Sequence, residues 1–177
     1  SILYATILMC QGHVDVAARH FSEVLESAER DNHQRHIAHT NANLGTISDI
    51  RDDIDGALTL YSRGITAAKR LGDERTIAST HLNMALALIA WQRYAEAEVH
   101  LSYAESYFLR TGLPHDKAHL LIEKSLLHLH IGDHEVALRL AESSLELTYD
   151  LSSSLLRSAA HYAVAAILAE TGSLQEA

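Results

Sequence analysis

Thirteen histidines among 177 residues are the least ordinary feature of this sequence, and imidazole can serve both as a metal ligand and as a proton carrier. His115 and His119 stand four apart, a spacing that puts both on one helical face, where two imidazoles can reach one ion. The run between them offers no Glu to act as a base. His128 and His130 are two apart and point to different sides of a helix, while His33, His36 and His39 step by three, partly through a turn. An exposed helical pair without a third ligand holds metal weakly. The histidines therefore read as surface or groove residues, and no metal or other cofactor is expected. No nucleophile is accompanied by a base, no glycine loop is built to cradle phosphate, and no two carboxylates converge. Catalysis is not expected, which leaves recognition.

Composition narrows what is recognised. A net charge of −9 and a pI near 5.7 oppose direct contact with nucleic acid, whose counterions are displaced by a basic surface. Cys10 is the only cysteine, so it has no partner for an internal disulfide and no second thiol for a metal site; a reducing compartment follows, and a cytoplasmic location with it. The longest apolar run, Met84 to Trp91, falls far short of the ~20 residues that span a bilayer, so no membrane contact is expected. One Pro, eight Gly and few β-branched runs in a chain that is 47% hydrophobic argue for an all-α protein.

The elements that position these residues recur. Ala17, Ala57, Ala97, Ala137 and Ala177 are each 40 apart, and twelve residues before each stands Ala5, Gly45, Ala85, Ser125 or Ala165. Small side chains at both columns let two helix backbones approach. The column Asn32, Gly72, Gly112, Ser152 suits the left-handed conformation past a helix end. The column Gly12, Asp52, Gln92, Gly132, Gly172 carries turn chemistry in most copies and separates a first helix from a second. Asp53, Asp133 and Ser173 are placed to cap second helices; His13 and Arg93 are poorer caps. The spacing predicts helices over 1–11, 14–30, 33–48, 54–71, 73–91, 94–110, 114–130, 134–149 and 153–170, with Pro114 at a favoured first position. Gly64 costs its helix roughly 1 kcal/mol relative to Ala, and close packing is the reason to keep it, since Ala104 and Ser144 share its column.

A tandem helix pair with small residues twelve apart resembles the tetratricopeptide repeat. The matching residues are Leu44-Gly45 with Ala57 and Tyr61, Met84-Ala85 with Ala97 and Leu101, Lys124-Ser125 with Ala137 and Ala141, and Ala5 with Ala17 and Phe21. The period is 40 where the commonest version has 34, and no copy carries the Trp and late Pro of that consensus. The longer version is similar to repeats of large bacterial signalling proteins and of kinesin light chains. Other helical-hairpin repeats of similar period stay open, and the spacing of twelve favours the tetratricopeptide reading.

The resemblance implies an all-α fold, a right-handed α-solenoid of antiparallel helix pairs, with repeats near 1–32, 33–72, 73–112, 113–152 and 153–177. In that frame the chain is one solenoid cut from a larger protein, with uncapped ends through which copies can self-associate. First helices would line the concave side. Its stripe would comprise Leu3 and Thr6; Asn43, Thr46 and Asp49; Leu82, Asn83, Leu86 and Ile89; Ile122, Glu123, Leu126 and Leu129; and Tyr162, Ala163 and Ala166. Asn43 and Asn83 occupy equivalent positions, and an Asn amide, donor and acceptor together, suits the main chain of an extended peptide; the alternative is that each bonds a neighbouring helix. Leu82, Leu86, Ile89, Ile122, Leu126 and Leu129 form an apolar stripe that, left uncovered, would bind an apolar or amphipathic segment. The alternative is that they fill the core, and Lys124 and His128 in the expected core column of copy four admit a rotated assignment there. The function implied is a non-catalytic protein- or peptide-binding scaffold in a bacterial signalling or transcription-regulatory protein. A small-molecule sensor and, on histidine count alone, a metal-dependent enzyme are the other readings.

Overall fold

A computed structural model of the chain describes residues 1–172. Among these residues all regular structure is α-helical: α1 (Ile2–Cys10), α2 (Val14–Arg30), α3 (Gln34–Ile50), α4 (Ile54–Leu71), α5 (Glu74–Ala90), α6 (Tyr94–Thr111), α7 (Pro114–His130), α8 (His134–Tyr149) and α9 (Ser154–Glu170). Every helix expected from the 40-residue register over residues 1–172 is present, with ends within about two residues, and the helix start expected at Leu174 lies outside the described residues. Ala177 and the cap at Ser173 lie outside the described residues.

Local chemistry explains the boundaries. Asp53 Oδ1 accepts the Gly56 N–H at 3.0 Å and Asp133 Oδ1 accepts the Val136 N–H at 3.3 Å, while His13 and Arg93 make no cap bond. Asp73 and Ser153 cap α5 and α9, and the ring Nδ1 of His33 caps α3 by accepting the His36 N–H at 3.5 Å. The separator column proves left-handed in all five copies, with φ of 82° at Gly12, 59° at Asp52, 58° at Gln92, 82° at Gly132 and 74° at Gly172. Asn32, Gly72 and Gly112 are left-handed too, but Ser152 is not: α8 stops early and Asp150 closes it in the right-handed region.

The chain divides into two compact units, Ser1–Trp91 and Gln92–Ala177. In the first, α1 to α5 pack in sequence, and the odd-numbered helices also pack on one another, α1 on α3 and α3 on α5. In the second, α6 to α9 pack in sequence and α7 also meets α9. Odd helices are thus contacted from several sides, whereas the even helices α2, α4 and α8 keep an exposed polar face.

The small-residue columns sit in the cores. Ala5 and Ala17 are fully buried in one cluster with Phe21 and Ile47. At the next hairpin a Cβ on Gly45 would lie 2.7 Å from the Tyr61 ring, and one on Gly64 would lie 3.0 Å from the Ala38 carbonyl oxygen, so Gly45 makes room for an aromatic ring and Gly64 for a neighbouring backbone. Ala137 is buried with Ala141, Ala160 and Ile167 in the second unit. Ala165 departs from its column: it is exposed, and its expected partner is Ala177. Among the described residues no helix is long and apolar enough to cross a membrane.

Candidate functional site

The shared register of α3 and α5 carries residues 40 apart to the same side of two helices in contact. Between them lies a cavity of about 250 Å³ lined by His39, Ala42, Asn43, Arg75, Thr76, Ser79, Thr80 and Asn83. The steps of three and four along each helix put these side chains in facing rows. Asn43 and Asn83 both line this cavity.

The cavity is set by hydrogen bonds within each helix. Asn43 Nδ2 donates to the His39 carbonyl at 2.9 Å, its own helix and not a neighbour, and the amide keeps a second N–H and its oxygen. Thr80 Oγ1 donates to the Thr76 carbonyl at 2.7 Å. At the end of the row Asp73 accepts from the Thr76 N–H at 3.1 Å and from Thr76 Oγ1 at 2.8 Å. Burial opposes the Asp73 charge, but those two bonds, with His39 and Arg35 nearby, outweigh it and hold the carboxyl below its usual range. Amides, hydroxyls and a guanidinium in facing rows can pair with the N–H and C=O groups of an extended chain.

Two other expected groove residues do different work. Thr46 Oγ1 donates to the Ala42 carbonyl at 3.3 Å and accepts the Tyr61 hydroxyl at 3.2 Å. It locks α4 onto α3 and is not free for a ligand, and burial pushes the Tyr61 phenol up to about 12. Asp49 is half-buried and bonded by the Trp91 side chain; desolvation raises its carboxyl above the usual range, with Asp52 adding to the effect.

The apolar stripe is corrected. Leu82, Ile89, Ile122 and Leu129 are only 2%, 6%, 3% and 6% exposed, and Leu86 and Leu126 are half-buried. Ile122 and Leu129 belong to the core formed with Ala137, Ala160 and Ile167. An odd helix is packed from more than one side, so side chains that an isolated hairpin would leave open are covered. Glu123 is buried as well, with His119 Nε2 at 3.4 Å from its Oε1. Tyr162 is 70% exposed on α9.

The histidines go to separate neighbours. His115 lies 3.6 Å from Asp116 and His119 beside Glu123, while His33 and His36 stack with ring centroids 4.0 Å apart. Among the described residues no three His, Cys, Asp or Glu side chains stand close enough together to hold a metal ion.

The larger cavity of the first unit, about 680 Å³, opens beside α2 and α4. Arg63 donates to Glu29 at 2.6 Å and Arg70 to the Gln34 amide oxygen at 3.3 Å, so both of its guanidinium groups are engaged within the lining. Nothing in the sequence pointed to the larger one. Compared with protein-family models and with curated proteins, the sequence matches none.

Proposed function

We propose that this chain is a tetratricopeptide-like, right-handed α-solenoid that binds a protein or peptide segment without catalysing a reaction, as a regulatory or sensing part of a larger bacterial signalling or transcription-regulatory protein. The observation that carries the reading is the cavity shared by Asn43 and Asn83. All of its lining residues but Ala42 carry a polar group, so the ligand is held chiefly through main-chain hydrogen bonds and not through the apolar anchor expected from the stripe. The resemblance supplies the regulatory setting, and the acidic charge places any nucleic-acid contact elsewhere.

Peptides selected from a random library on the immobilised chain provide the test. Asn43→Ala with Asn83→Ala is expected to weaken a selected peptide about tenfold or more, while the melting temperature moves little. Unchanged affinity, or a collapse of the fold in the double variant, would show that these amides are structural.

A further inference from the structure

A second site, in the second unit, is marked by the way the repeat breaks its own rules. Three columns that are mostly apolar elsewhere become charged or ionisable where α6 meets α7. One column reads Ala18, Leu58, Glu98, Leu138; the next Tyr4, Leu44, Met84, Lys124, Val164; the third Leu8, Ser48, Leu88, His128, Leu168. Ala18, Leu44 and Leu8 pack on one core, Leu58 and Met84 belong to another, and Leu138 and Val164 pack on a third. Glu98, Lys124 and His128, far apart in sequence and each anomalous in its own column, line a single cavity of about 320 Å³ with Leu101, Leu127 and Tyr94.

Packing does not explain the change. Lys124 Nζ pairs with Glu105 Oε1 at 2.7 Å, yet their side chains are only 24% and 32% exposed, and a part-buried pair is commonly no more stabilising than the apolar residues it replaces. The buried Nδ1 of His128 makes no hydrogen bond, with Asp133 Oδ2 at 3.4 Å as its nearest carboxylate. The part-buried Lys124 and His128 on α7 and the exposed carboxylate of Glu98 on α6 converge on one hole, which is what a ligand site requires.

We infer that the α6–α7 cavity binds a small zwitterion with an apolar body, the chemistry of a free amino acid with a hydrocarbon side chain. The Lys124 ammonium has three N–H donors, one on Glu105, and can take the ligand carboxylate on another. Glu98 lines the same cavity from α6 and supplies the negative charge for the ligand ammonium. Leu101 and Leu127, 2% and 4% exposed, give the apolar floor, and Tyr94, stacked on His130 at 5.9 Å, stands at one end. The volume is at the small end of ligand pockets, which suits an amino acid and is too tight for a nucleotide cofactor.

Thermal shift and calorimetry of the whole chain with each proteinogenic L-amino acid test this. An apolar amino acid is expected to raise the melting temperature by about 5–10 °C at a hundredfold excess over its Kd. Its N-acetyl and amide derivatives are expected to give no shift. Lys124→Met and His128→Leu, which restore the column residues, should melt at or above the parent temperature and lose the shift. Glu98→Gln, at an exposed position that cannot unfold the chain, should weaken binding about tenfold or more. The inference is overturned if no amino acid binds at millimolar concentration, if binding survives these substitutions, or if Lys124→Met and His128→Leu melt well below the parent with the shift intact.

Discussion

Gln92 illustrates how a single residue carries the repeat's geometry at a cost. It holds φ of 58° where Gly12, Gly132 and Gly172 hold the same conformation without a Cβ. A left-handed non-glycine costs roughly 1–2 kcal/mol, offset in part by the freedom a glycine would lose on folding. Gln92→Gly is therefore expected to raise stability by about 0.5–1 kcal/mol, read as a higher urea midpoint with an unchanged slope. The histidines at the start of α3 act at the same scale. Desolvation, then the charges of His33, His39 and Arg35, push the His36 imidazole below its ordinary 6.5. A folded value below the unfolded one means stability present above pH ~6.5 and lost as pH falls through the lowered value. Melting temperature is expected to fall on acidification below that range, and less steeply in His36→Asn.

At the scale of the element, helix ends and small columns were readable because they depend on neighbours in sequence. Caps, a proline at Pro114 and glycine turns are local chemistry, and the register repeats them. The alanine columns were readable because only a small residue tolerates the approach of two helices, and Ala17, Ala57, Ala97 and Ala137 have no exposed surface. Ala57→Leu would push a larger side chain into the cluster that holds Tyr61, Ala38 and Ile77. The expected loss is ~1–3 kcal/mol by chemical denaturation, and an unchanged curve would remove the close-packing account of these columns. First helices are capped too: Asp73 stands three residues before Thr76 in the usual capping spacing, whereas His33 caps through a ring nitrogen, which the common Ser, Thr, Asp and Asn signal does not include.

At the scale of the whole molecule, each unit contains its own buried clusters: Phe21 and Ile47, and Tyr61 with Ile65 and Ile77, in the first; Ile122, Leu156 and Ile167 in the second. Stability in a repeat array is set largely by nearest-neighbour contacts. A chain of residues 1–91 is therefore expected to remain helical by circular dichroism and to melt cooperatively by itself; a fragment without a melting transition would contradict this.

The sequence by itself determined the 40-residue period, the helical class, nearly every helix boundary and the equivalent repeat positions of Asn43 and Asn83, because these follow from spacing along the chain. Only the tertiary structure decided which inner side chains stay open. Periodicity tells how side chains are distributed around one helix, but not how that helix is rotated against several neighbours at once. That rotation buried Leu82, Ile89, Ile122 and Leu129, committed Thr46 to Tyr61, and brought Glu98, Lys124 and His128 around one cavity.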